Sequence, residues 1–320
     1  MTDVRTAAAP VSGTGAAALS PDALLRRRRR RRAIRNLSAY LLVLPAAAFY
    51  GFFVLRSIIL SAQFSFYDWN GISPATWVGF ANYLEVFSNP KLVGAILNAF
   101  ELILYFSVIP VIIALLAANV IRAIAESKLA GVARTVLFLP QVIPLVAAGI
   151  MWSWQLSTDG LVNQILRLIG LGGLTRAWLG DFTTALPAVG VIGAWVLVGL
   201  CLVLILAGMT KIDPSLYEAA RIDGAGPIRE FLTITLPGVR QEVAVCVTVT
   251  VIAALASFDI VYIATQGGPG DSTLVPGLQI FYLAFYQREI GMASAFAIVL
   301  MSLVLIVVLP LQRILRGKES

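Results

Sequence analysis

The sequence predicts an all-α, polytopic membrane protein with six transmembrane helices. Three observations carry that reading. Of the 320 residues, 59% are hydrophobic and 13% charged, and the mean hydropathy is +0.87, whereas a soluble domain carries about 25% charged residues. The apolar residues gather into runs of about 20, the length at which a helix crosses a bilayer. Lysine and arginine alternate between rich and poor connections along the chain, as the orientation of successive spans demands.

The first run covers about 37–61 and contains Pro45 and Arg56. Arg56 is expected to sit near the outer interface, to snorkel, or to face protein, because an unpaired charge does not face lipid. Further runs cover about 95–120, 135–154, 184–207, 243–264 and 292–311. Pro110, Pro140 and Pro144 fall inside or beside two of them and predict bends or interruptions.

Basic residues set the orientation. The amino tail carries Arg5, the unbroken block from Arg26 to Arg32, and Arg35. The second and fourth connections add Arg122, Lys128, Arg134, Lys211, Arg221, Arg229 and Arg240, and the carboxyl tail adds Arg313, Arg316 and Lys318. The opposite side has Lys91, Arg167, Arg176 and Arg288. Both termini are therefore expected in the cytoplasm. The arginine block reads as a retention signal that also attracts anionic lipid. Residues 1–36 are expected to be a disordered basic tail, 37–314 a membrane domain with a cytoplasmic loop at about 209–242, and 315–320 a second short tail. No cleaved signal is expected, because the first apolar run starts late and more spans follow it.

Composition also excludes chemistries. The chain has no histidine, and its two cysteines, Cys201 and Cys246, lie in apolar runs. Neither a metal site nor a disulfide framework is expected. No Walker-type sequence occurs, and GGPG at 267–270 lacks the following Lys-Ser/Thr of a phosphate loop. The charge pattern serves topology and points to membrane lipid, not nucleic acid. No cofactor and no enzymatic activity are expected.

The stretch EAARIDGAGPIREFLTITLP, 218–237, stands out as polar within an apolar half. Ahead of it Asp213 is placed to cap a helix with Pro214 at its first position. Glu218 and Arg221 are spaced to pair on that helix, and Gly224 closes it. Pro227 starts a second short helix with an apolar edge of Ile228, Phe231 and Leu232, and Pro237 limits it. Physically, such a knuckle either lies on the membrane surface or docks a partner.

The order of residues favours docking. Glu218, Ala219, Ala220, Gly224, Ile234, Leu236 and Pro237 match, in spacing, the signature loop of permease subunits of binding-protein-dependent ABC importers, which this stretch closely resembles. The segments WVGFANYLEVFSNP, FDIVYIATQGGPGDST and GMASAFAIVL resemble the first of the two paired permeases of carbohydrate importers, the maltose and glycerol-phosphate type. The likeness covers roughly 38–314; one departure is Ala99-Phe100 after Asn98, where Asn-Thr is usual. The resemblance implies the type I importer permease fold in a bacterial cytoplasmic membrane. It also implies a separate ATPase seated on the loop, a second homologous permease and an extracytoplasmic solute-binding protein.

Polar residues inside spans are candidates for the solute route. Glu101, Tyr105, Gln141, Asp259 and Tyr262 lead, with Ser107, Trp152, Trp154 and Ser257 beside them. Amides, carboxylates and aromatic rings suit a neutral polyol, and Arg56 is the only cation inside a predicted span, which tilts the expectation toward a sugar or oligosaccharide. The alternatives are a glycerol-phosphate or other non-sugar permease and, from a different class, a secondary transporter, for which no internal repeat of spans is visible.

Overall fold

The computed structural model describes residues 42–316. The expectations for the amino tail, its arginine block and residues 317–320 lie outside the described residues. The chain divides into two units, 1–59 and 60–320. The described part of the first belongs to helix α1 (Leu42–Phe64), long and apolar enough to cross a membrane. Within it the Arg56 guanidinium lies over the Phe52 ring, 5.2 Å from its centroid, so the charge is met by an aromatic face one turn away.

The second unit opens with a hairpin of β1 (Tyr67–Asp68) and β2 (Thr76–Trp77), antiparallel, with Tyr67 opposite Trp77. Among the described residues these short strands are the one departure from an all-α chain. Asn70 Oδ1 shapes their loop by accepting from the Ile72 and Ser73 amides at 3.0 and 2.9 Å. Helix α2 (Ala81–Ser88) follows. Asn89 then caps α3 (Pro90–Ala123), its side chain accepting from the Lys91 amide at 3.0 Å with Pro90 at the first position. Pro110 does not break α3. A wide π stretch, Leu104–Val108, precedes it and relaxes the turn where a proline lacks its N–H and crowds the carbonyl four residues back.

The predicted third span is not one straight helix. It consists of α4 (Lys128–Val142) and α5 (Leu145–Gln155), which meet at 101°. Ile143 is extended, as the residue before a proline prefers. Helix α6 (Leu161–Leu168) lies in the next connection. Helix α7 (Ala185–Met209) is the hub of the unit: 61% of its apolar window is buried, against 39% for α3 and 33% for the last helix. Gly193 makes part of this possible, because a Cβ there would strike the Phe106 ring of α3.

The fifth span also departs from expectation. Helix α8 (Pro214–Ile222) and helix α9 (Pro227–Gly238) precede α10 (Arg240–Leu255), which leaves α9 at 70°. The apolar run to 264 does not continue α10: residues 256–258 interrupt it before α11 (Asp259–Ala264). Buried Thr250 on α10 and Ser107 on α3 place their hydroxyl oxygens 2.8 Å apart. Helix α12 (Pro276–Phe281) and helix α13 (Ile290–Arg316) complete the described chain. Among the described residues four helices are long and apolar enough to cross a membrane, or up to six spans if each bent pair counts as one.

Candidate functional site

The 209–242 loop folds from local signals. Asp213 Oδ1 accepts from the Ser215 amide at 2.9 Å, and these bonds to Ser215 hold its carboxyl below the usual range. At the other end of α8, Gly224 adopts φ +78°. Its amide donates to Arg221 O at 3.0 Å, and the Ala225 amide donates to Ala220 O at 2.9 Å. That pair of bonds is a left-handed helix closure that favours glycine. Helix α9 starts at Pro227, widens into a π stretch at Phe231–Thr235 and runs on to Gly238. Pro237 therefore lies one residue inside the helix and does not stop it; the elbow comes at Val239.

The loop is tied to α3 by buried charge. Glu230 is 5% exposed. Its carboxylate takes Arg221 Nε at 3.0 Å and the Arg122 guanidinium at 3.6 Å. The Arg122 guanidinium also lies 3.9 Å from the centroid of the Tyr217 ring, and the buried Tyr217 hydroxyl sits 3.1 Å from Thr235 Oγ1. Arg221 thus pairs with Glu230, not with Glu218 as its spacing suggested. Glu218, Ala219, Gly224 and Pro237 are exposed, whereas Ala220, Ile234 and Leu236 are half-buried. Two large apolar side chains on the knuckle also face outward, Ile222 at 86% and Ile228 at 77% exposure.

A second feature lies among the spans. A cavity of about 190 Å³ is lined by Phe106, Leu145, Gly193, Ser257, Phe258 and Asp259, among others. Three irregularities converge there: the π stretch of α3, the α4–α5 bend and the α10–α11 interruption. Irregular backbone at membrane depth is tolerated where it is buried in protein or lines a cavity. Ser257 Oγ is buried there without a hydrogen-bond partner.

The predicted route residues separate. Asp259 lines this cavity, and Tyr262 stacks on Phe258 of its wall, with centroids 5.4 Å apart. Glu101 and Tyr105 stand one turn apart on α3, Tyr105 against Gly190. Gln141 lies on α4 against Gly199 of α7, its Oε1 buried and unpartnered.

Residues 110–318 match the model of the binding-protein-dependent transport system inner membrane component family. This chain belongs to that family. The matched stretch holds the α8–α9 loop and most of the cavity wall, and it makes the subunit a transport component and not an enzyme. The probable ABC transporter permease protein YurN of Bacillus subtilis is 36% identical over 88% of this chain and 97% of its own. The diacetylchitobiose uptake system permease protein NgcF of Streptomyces coelicolor is 34% identical over 79% of this chain and 76% of its own. Among solved structures, a bacterial ABC transporter involved in alginate import superposes with a TM-score of 0.77 at 24% identity, covering 92% of this chain and all of that one. That likeness speaks to the fold.

Sequence reasoning missed the Arg122–Glu230 tie. Its partners sit on different spans, so no local spacing announces it. The one available signal was Glu230 itself, an acidic residue followed directly by the apolar Phe231 and Leu232.

Proposed function

We propose that this family member is a membrane subunit of an ATP-driven importer, conducting a neutral saccharide handed over by an extracytoplasmic binding protein. It works with a second homologous permease and with ATPase subunits, in a bacterial cytoplasmic membrane with both termini in the cytoplasm. The finer placement in the maltose and glycerol-phosphate type, first-permease group, rests on the FDIVYIATQGGPGDST and WVGFANYLEVFSNP segments. The domain limits 37–314, with tails on either side, belong to the same reading.

The observation that carries it is the α8–α9 knuckle. Its family-signature residues Glu218, Ala219, Ala220, Gly224, Ile234, Leu236 and Pro237 lie on a loop closed at Gly224 and anchored to α3 through Glu230. Exposed Ile222 and Ile228 give a partner apolar contacts, and the buried tie gives a displaced partner something to push. The ATPase is the partner. The solute path runs past Asp259 and Ser257, with Glu101, Tyr105, Gln141 and Tyr262 as further candidates. Saccharide is favoured over glycerol phosphate because the cavity wall offers a carboxylate, a hydroxyl and aromatic rings but no cation; the diacetylchitobiose name of the relative agrees.

Reconstitution of the subunit with its ATPase, second permease and binding protein tests this reading. ATP-dependent uptake of a neutral disaccharide is expected, falling in Asp259→Asn with assembly intact. Uptake driven by an ion gradient in the isolated chain would overturn it.

A further inference from the structure

A polar hollow roomier than the intramembrane cavity lies elsewhere among the described residues. It has a volume of about 500 Å³ and lies at the hairpin end of α3, where Asp68, Trp69, Glu85, Gln279, Gln287 and Glu289 line it. That volume falls within the range of about 300 to 1,000 Å³ typical of small-molecule sites. Its frame is fixed by backbone and side-chain contacts, among them Asn89 Nδ2 donating to one carboxylate oxygen of Glu85 at 3.0 Å. Trp69 stacks on Phe64 with ring centroids 4.2 Å apart, and its carbonyl accepts from the Gly291 amide at 3.1 Å. A Cβ at Gly291 would run into the Tyr67 carbonyl oxygen, so hairpin and α13 meet at a contact that only glycine fits. Asn82 of the wall donates to the Ser65 and Tyr67 carbonyls at 2.9 and 3.0 Å.

One group in the wall has no partner. Gln279 is 3% exposed, and its Oε1 accepts no hydrogen bond. A buried acceptor left unpaired is unfavourable, so a donor arriving from the hollow would relieve it. The chemistry of that donor is narrowed by the neighbours. The only cation lining the hollow, Lys91, is held by Asp271 at 3.2 Å, and three carboxylates face an anion with repulsion. Among the described residues no three His, Cys, Asp or Glu stand close enough to hold a metal ion. Carboxylates and amides that accept and donate, spaced around a roomy hollow with an indole in its wall, suit a ligand with many hydroxyls.

We propose that this hollow is a second, extracytoplasmic saccharide subsite, where a neutral sugar is held through its hydroxyls by Gln279, Glu85 and Glu289 before it enters the spans. The proposal rests on the importer reading above. Its test keeps the two apart. The complete importer is first assayed for uptake of maltose, lactose, cellobiose and diacetylchitobiose. The permease–ATPase complex without binding protein is then placed in nanodiscs with Gln287→Cys, an exposed wall position. Cys201 and Cys246 are buried, so a membrane-impermeant maleimide reads the introduced thiol.

The transported sugar should slow labelling at Gln287→Cys about tenfold at saturation. It should leave Ser73→Cys on the hairpin loop unchanged. Adding Gln279→Leu should raise the half-protecting concentration by about tenfold, the effect of losing one good hydrogen bond. Uptake without protection, or equal slowing at both thiols, overturns the subsite and leaves the importer reading standing. Uptake of none of the four sugars removes the importer reading and the subsite with it.

Discussion

The two ends of α3 are built on opposite plans. At one end Arg122 is held between Glu230 and the Tyr217 ring, and Arg221 shares the Glu230 carboxylate. At the other, about 45 Å away at 1.5 Å per residue, Asn89 and Lys91 border a hollow of about 500 Å³ whose Gln279 has an idle acceptor. The first end pairs its charges with one another across α3, α8 and α9, although Arg122 Nε stays buried without a hydrogen-bond partner. The second keeps polar groups in reserve. Under the docking and subsite proposals, the end of α3 that reports to the ATPase is the rigid one and the end that meets solute is the receptive one.

The comparison can be broken most forcefully at Glu230. Glu230→Leu strands Arg122 against a buried wall, and loss of one partner of a buried pair destabilises by about 3 kcal/mol or more. Thermal unfolding of the detergent-purified subunit should shift down, and Arg122→Leu in the same chain should recover part of the loss. If Glu230→Leu unfolds like wild type, the locked end is not locked.

The loop closure ranks next. No atom lies within 4 Å of a Cβ built on Gly224, so in the free subunit Gly224→Ala costs only its left-handed backbone, about 1 kcal/mol. Gly224→Asn, which tolerates that conformation, should be milder in stability. The bulky Gly224→Leu separates backbone from contact: if a partner seats closely, ATPase association in a pull-down should fall far more for Leu than for Ala. Equal association for Ala and Leu would return the knuckle to a surface loop.

The smallest effect belongs to the receptive end. Gln279→Leu removes an unpaired buried oxygen, and such a replacement is close to neutral, within about 0.5 kcal/mol. Unfolding should scarcely move. A fall comparable to that of Glu230→Leu would mean that the hollow, too, is structural.

What the sequence disclosed follows the range of the interactions. Helix α8 was legible from Asp213, Pro214 and Gly224, because capping, the first-turn proline and the left-handed closure act within a few residues. The bend after Ile143 was half-announced by Pro144. The interruption at Ser257 and Phe258 was silent: no proline or glycine marks it, and composition reads straight through an apolar run. The hairpin carried its Asn70-Gly71 turn signal, with Gly71 at φ +87°, but its strands are too short to show alternation. The Glu230 tie and the hollow around Gln279 assemble from distant segments, so only packing reveals them. Cys201 and Cys246, which lie in apolar runs of the sequence, are buried.

The elbow at Val239 has a mechanical meaning. Helix α10 runs without interruption from that elbow to Leu255, at the rim of the intramembrane cavity. Its 16 residues form a rod of about 24 Å. Pivoting such a rod by about 10° sweeps its far tip through roughly 4 Å, more than the width of a water molecule. If the docking proposal holds, α9 is the short arm of a bell crank, Val239 its fulcrum and α10 the long arm, with its tip at the wall of the proposed solute path.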